Sequence, residues 1–107
     1  MIDAWLLAAE HGDVRALLGL LDDGAVLRAD FGASTHVVSG ARAIADQAVL
    51  SGRLAAHSTP VLIGGRPGVA AVLNERLVSI MAFDIVDGRI TGLEVLADPH
   101  RLDAGRR

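Results

Sequence analysis

Asp30, Asp84, four histidines and one tryptophan are the residues of this sequence that offer chemistry beyond packing. Asp30 ends the alternating stretch Ala25-Val26-Leu27-Arg28-Ala29-Asp30-Phe31, beside an aromatic ring at a strand terminus. A general base of a proton-transfer enzyme is a carboxylate placed there and drawn partly out of water. The same residue serves as readily as a turn residue whose side chain caps Gly32 or Ala33, and that role is the commoner one. Asp84 lies on a long apolar strand. With Asp30 and Arg28 it would form the Asp–Arg–Asp network that activates a water, although Arg28 and Asp30 on one strand face equally make a surface ion pair. Asp30 and Asp84 are therefore the catalytic candidates.

His11, His36, His57 and His100 are scattered, with no His-x-His or His-x3-His pair, so no metal site is expected. His36, on a strand, and His57, at a helix end, are expected at the mouth of a pocket. Trp5 is expected in a core or pocket wall, where its indole nitrogen needs an acceptor. Cysteine and tyrosine are absent, which removes disulfides, thiolate nucleophiles and a phenolic oxyanion donor. No cofactor is implied.

These residues must be positioned by a chain of 107 residues, enough for one domain with its own core. The expected domain is 1–107, with an ordered core of about 3–102, a tail at 103–107, and a chain that is loosely tied from Pro99 onward. Apolar residues make up 51%, yet charges interrupt every apolar run before the ~18 residues that a membrane span requires. The opening Met1-Ile2-Asp3-Ala4-Trp5 lacks a basic patch and cleavage site, so a cytoplasmic location is expected. A net charge of −3, with arginines scattered singly apart from Arg106-Arg107, argues against direct nucleic-acid binding.

Trp5, Leu6 and Ala9 share one side of a helix over Asp3 to His11. Gly12-Asp13 ends it, and Asp13 caps a second helix with the stripe Val14, Leu17, Leu18, Leu21. Asp22-Asp23-Gly24 is expected to close that helix. Strands at 25–31 and 35–39 then form a hairpin. A third helix runs from Ala41 to about Leu50 and would continue past Gly52 to His57 at a cost of ~1 kcal/mol for the interior glycine. Strands follow at 60–63, 69–73, 77–86 and 90–96, with a turn at 64–68 and the hairpin signal Asp87-Gly88. On the longest strand one face carries Ser79, Met81, Phe83 and Ile85, and the other Ile80, Ala82, Asp84 and Val86. Both are largely apolar. One is expected to pack on the helices and the other to meet a second protein surface, such as a second copy in a homodimer.

This order of elements resembles the nuclear transport factor 2-like fold, the cone-shaped group that includes SnoaL-like cyclases and ketosteroid isomerases. The opening stretch from Ala8 to Leu18, with Gly12-Asp13 between two helices, is similar to the start of that family. Gly65-Arg66-Pro67-Gly68-Val69, Asp87-Gly88-Arg89-Ile90 and the closing Asp98-Pro99-His100-Arg101-Leu102 resemble the SnoaL-like extension at the C-terminus of extracytoplasmic-function sigma factors. In those factors an Asn-Pro-Asp-Lys-Leu-type motif stands at the closing position, and an Asp-Gly-Gly-Gly-Lys-like loop stands where this chain reads Asp30-Phe31-Gly32-Ala33-Ser34.

The resemblance implies an α+β, cystatin-like cone: three helices packed on a curved mixed or antiparallel sheet of about six strands, in the order ααββαββββ. It implies a pocket between helices and concave sheet, with Trp5, Phe31, His36, His57, Met81 and Phe83 as candidate contacts to a small apolar ligand. It also implies a regulatory role, in which Asp98, Pro99, His100, Arg101 and Leu102 touch a sigma-factor core or RNA polymerase. On that reading the chain is an excised domain or a free-standing relative. The alternative is a small enzyme of the polyketide cyclase, ketosteroid isomerase or epoxide hydrolase type. The polarity of the pocket wall separates the two, because an enzyme needs an ionisable group inside.

Overall fold

The first helix packs its Trp5–Ala8–Ala9 side inward, and Trp5 and Ala8 join a core cluster with Leu17, Ile44, Phe83 and Leu93. In the computed structural model, which describes residues 1–104, α1 spans Ile2–Glu10 and α2 Val14–Leu20. The Asp13 side chain accepts the Ala16 N–H at 3.0 Å, the cap that its position before Val14 predicts. Strands β1 (Leu21–Asp30) and β2 (Thr35–Ser39) follow. Helix α3 (Ala41–Leu50) and the single turn α4 (Gly52–Ala55) precede β3 (Ser58–Ile63), β4 (Arg66–Leu73), β5 (Arg76–Val86) and β6 (Arg89–Leu96). A last helix, α5, covers Pro99–Ala104.

The six strands form one sheet in the order β2-β1-β6-β5-β4-β3. All neighbours are antiparallel except β1 and β6, so of the two expected alternatives, mixed or antiparallel, the sheet is mixed. Register irregularities at Leu21/Val26, Ala71/Val72 and Asp84/Ile85 add local bends of the kind that curve a sheet. The three consecutive hairpins from β3 to β6 turn on two residues each: Gly64-Gly65, Asn74-Glu75 and Asp87-Gly88. All six residues have positive φ, the turn geometry that matches strand twist.

Four expectations need correction. Leu21 does not close α2. It is fully buried and pairs with Ile90 of β6, so β1 begins there and the Asp22 carboxylate only accepts the Gly24 N–H inside the strand span. The five-residue turn at 64–68 shrinks to Gly64-Gly65, because Arg66 and Pro67 already pair with Ile63 and Leu62. The third helix breaks at Ser51: a Cβ on Gly52 would lie 2.8 Å from the Ala9 carbonyl oxygen, so α4 can pass this close to α1 only at a glycine. Finally, the segment after Pro99 is not loosely tied. Asp98 caps α5, its carboxylate accepting the His100 N–H at 3.1 Å and its carbonyl oxygen the Leu102 N–H at 3.0 Å, while the Leu102 side chain is buried. Asp-Pro before a helical turn is the N-cap and N1 pairing that favours a helix start. Positions 105–107, with Arg106-Arg107 and the end of the expected tail, lie outside the described residues.

Candidate functional site: a cavity on the concave sheet face

Strand register decides which side chains meet the helices. Reading straight across the sheet, His36, Ala29, Val95, Met81 and Val69 form one row on the concave face. The row beside it runs Val38, Leu27, Leu93 and Phe83, and its centre is sealed: Phe83 is 1% exposed, its ring edge-on to Trp5 at 5.5 Å between centroids. On the other side Ser58, Ala71 and Ser79 stand in line. Between these rows and helices α1 and α3 lies a cavity of about 550 Å3, within the ~300–1,000 Å3 of small-molecule sites.

Of the six expected ligand contacts, Trp5, Phe31, His36 and Met81 line this cavity. Phe83 does not; it supports Trp5 from behind. His57 opens instead onto a smaller depression with Ser51, Arg53, Leu54 and Leu73. Phe31 and His36 sit at the mouth, both exposed, with their rings edge to face at 5.4 Å. The wall also holds Gln47, Ser51, Ser58 and Ser79, which sequence reasoning did not single out. Ser79 was within reach of it, since it shares a strand face with Met81 at a period of two. Gln47 and Ser51 flank the α3 stripe at positions three and seven after Ile44, so they too were legible as its polar edge. Ser58 was not, because its place opposite Ala71 depends on register.

Both catalytic candidates lie elsewhere. The Asp30 side chain, on the opposite strand face from Ala29 and Phe31, accepts the Gly32 N–H at 2.9 Å and pairs with Arg101 of α5. Asp84 is on the outer sheet face with Arg66, at 2.9 Å, and Glu94 lies 3.5 Å from the same guanidinium nitrogen. Arg28, on that outer face too, pairs across strands with Val37 and Glu94 rather than joining Asp30 and Asp84. Among the described residues, no carboxylate and no guanidinium lines the cavity. Nor do three His, Asp or Glu residues there come together in a way that would hold a metal ion.

The segment Asp98 to Leu102 divides in two. Asp98 and Leu102 are buried, whereas Pro99, His100 and Arg101 are exposed. Asp98 packs so tightly on the loop after β1 that a Cβ on Gly32, where φ is +87°, would lie 2.8 Å from its carboxyl carbon. The loop and the closing segment are thus one joined surface.

A crystal structure of the Mycobacterium tuberculosis extracytoplasmic function sigma factor SigJ superposes on 95% of this chain and 43% of its own, with a TM-score of 0.74 at 20% identity. An NTF2-like protein of unknown function from Cytophaga hutchinsonii matches 95% of this chain and 90% of its own, at TM-score 0.61 and 14% identity. The chain has the nuclear transport factor 2-like fold. A de novo designed protein with a curved β-sheet shares the same cone, at TM-score 0.64 over 98% of this chain and 88% of its own, with 13% identity. In sequence, the chain is 33% identical over 104 residues to a probable ECF RNA polymerase sigma factor, SigI of Mycobacterium tuberculosis. That match covers 94% of this chain and 34% of SigI, so the chain spans about a third of the curated relative's length. No protein-family model matches the chain. Among the described residues, no helix is long and apolar enough to cross a membrane.

Proposed function

We propose that this chain is a single regulatory domain, residues 1–107, which modulates an extracytoplasmic-function sigma factor in the cytoplasm by protein contact and uses its cone to bind rather than convert a small molecule. The observation that carries the non-catalytic part is the cavity wall. Proton transfer and water activation both need an ionisable group beside the reacting atoms. Here Asp30 and Asp84 lie on the far side of the sheet, each held by an arginine. The one titratable group among the described wall residues, His36, is exposed at the mouth with no carboxylate or guanidinium beside it in the wall. The likeness to SigI along 94% of the chain supports the sigma-factor part.

Within this proposal the contact surface is the junction of the loop after β1 with α5, where Pro99, His100 and Arg101 are exposed and Asp98 and Leu102 hold the helix in place. Docking of a second copy would use the outer-face row Val37, Arg28, Glu94, Ala82, Gly68 and Val61, beside the part that α5 occupies. Calorimetric titration of the chain into the two thirds of SigI that it does not match tests the sigma-factor contact. Saturable binding in the micromolar range is expected, since a tethered domain works at an effective concentration near ~1 mM and needs no tighter affinity. It should weaken on Arg101→Glu. Absence of heat up to about 1 mM would overturn the proposal.

A further inference from the structure

The cavity contains a hydrogen-bond donor that the fold leaves unused. Trp5 is 3% exposed and lines the cavity wall. Its indole N–H donates and cannot accept. It makes no hydrogen bond to any group among the described residues. Nor is it sealed from solvent-sized space: among the described residues the only sealed side-chain polar atoms that make no hydrogen bond are Nε and one terminal nitrogen of Arg66 on the outer face, the latter in the ion pair with Asp84. The Trp5 nitrogen is therefore unsealed, on a ring that lines the cavity. A second donor stands on the sheet floor, the Ser79 hydroxyl, also without a hydrogen-bond partner among the described residues. Ser58 is different, since its hydroxyl already donates to the Leu54 carbonyl at 2.8 Å.

The rest of the wall is as informative for what it lacks. Its described residues include no Asp, Glu, Lys or Arg, and its one titratable group, His36, is exposed at the mouth. A charged ligand entering this space would lose its hydration and find no counter-ion. An alkane would leave a buried indole N–H without an acceptor, which costs more than the bond itself returns. A neutral molecule bearing a carbonyl oxygen avoids both penalties.

We infer that the cavity takes an uncharged, compact apolar molecule whose carbonyl oxygen, as in a ketone, ester or lactone, accepts the Trp5 N–H with Ser79 as a second donor. This ligand class rests on the proposal that the cavity binds its occupant without converting it. Trp5 is the single tryptophan and tyrosine is absent, so the intrinsic emission of the chain reports on this wall alone.

Three probes of one shape separate the alternatives: 2-decalone, decalin and decahydro-2-naphthoate. 2-Decalone is expected to bind and shift the Trp5 emission. By calorimetry it should bind about tenfold more tightly than the carboxylate and about fivefold more tightly than decalin. Trp5→Phe should remove most of the preference for 2-decalone over decalin, and Ser79→Ala part of it. Ser79→Ala alone decides the matter if Trp5→Phe does not fold. The inference is overturned if the carboxylate binds as well as the ketone, if 2-decalone and decalin bind equally, if neither variant changes their ratio, or if no probe binds at about 1 mM. Chemical conversion of bound 2-decalone, followed by NMR, would instead contradict the non-catalytic proposal and leave the ligand class standing.

Discussion

The two faces of the sheet differ in one respect above all: the concave face is uncharged and the outer face holds the ion pairs. Across the concave side run His36, Ala29, Val95, Met81 and Val69. One residue further along each strand, side chains point the other way, and Arg66 meets Asp84 and Glu94 there while Asp30 meets Arg101. Strand alternation turns Arg28, Asp30, Asp84 and Glu94 away from the helices. The lesson concerns function as much as fold. Carboxylates that look catalytic in sequence are here structural ties on a surface. The space able to hold a ligand is lined by no carboxylate or guanidinium among the described residues, with His36 at its mouth as the one titratable group.

The largest predicted effect tests the uncharged face. Val69, 5% exposed on the cavity floor, should not tolerate a carboxylate. Val69→Asp is expected to cost about 3 kcal/mol or more, read as a loss of the urea midpoint, because no arginine on that face can pair with it. A cost below ~1 kcal/mol would mean that the cavity is wetter or more polar than its wall implies.

Gly32→Ala comes next. The substitution forces a Cβ into the Asp98 carboxylate at a backbone φ of +87°, so a loss of about 1–3 kcal/mol is expected in the same assay. Asp98→Ala should cost about 1 kcal/mol through the lost cap of α5, visible as faster amide exchange at His100. The smallest effect belongs to the outer face. Arg66 and Asp84 are partly exposed, with side chains 35% and 50% accessible, so Asp84→Asn should change stability by less than ~1 kcal/mol and lose even that in high salt. A loss as large as that of Val69→Asp would erase the contrast between the faces.

Much of this arrangement was legible in the residues. Asp13 before an apolar stripe marked the start of α2, and Ala41 to Leu50 was readable as a helix from its periodicity. Asp87-Gly88 marked a hairpin, and alternation placed Asp84 opposite Met81 and Phe83. What escaped were features set by partners distant in the chain. β1 starts at Leu21 because β6 pairs with it, overriding the local turn signal of Asp22-Asp23-Gly24. The contact between Arg66 and Asp84 depends on how β4 and β5 align. Phe83 looked like a ligand contact because its strand face is right, yet Trp5 covers it. α5 is a different case: its Asp98-Pro99 start signal is local, but the helix is only six residues long and lies next to the chain's end, too short for apolar periodicity to mark it.

Run-off transcription tests the central claim most directly. A SigI-type sigma factor carrying this chain in place of the portion it matches would be compared with the same factor ending before that portion. A change of at least about threefold in promoter-dependent transcript is expected. Arg101→Glu should reduce that change, whereas Asp84→Asn, on the outer face, should not. Equal transcript with and without the chain would contradict a regulatory role.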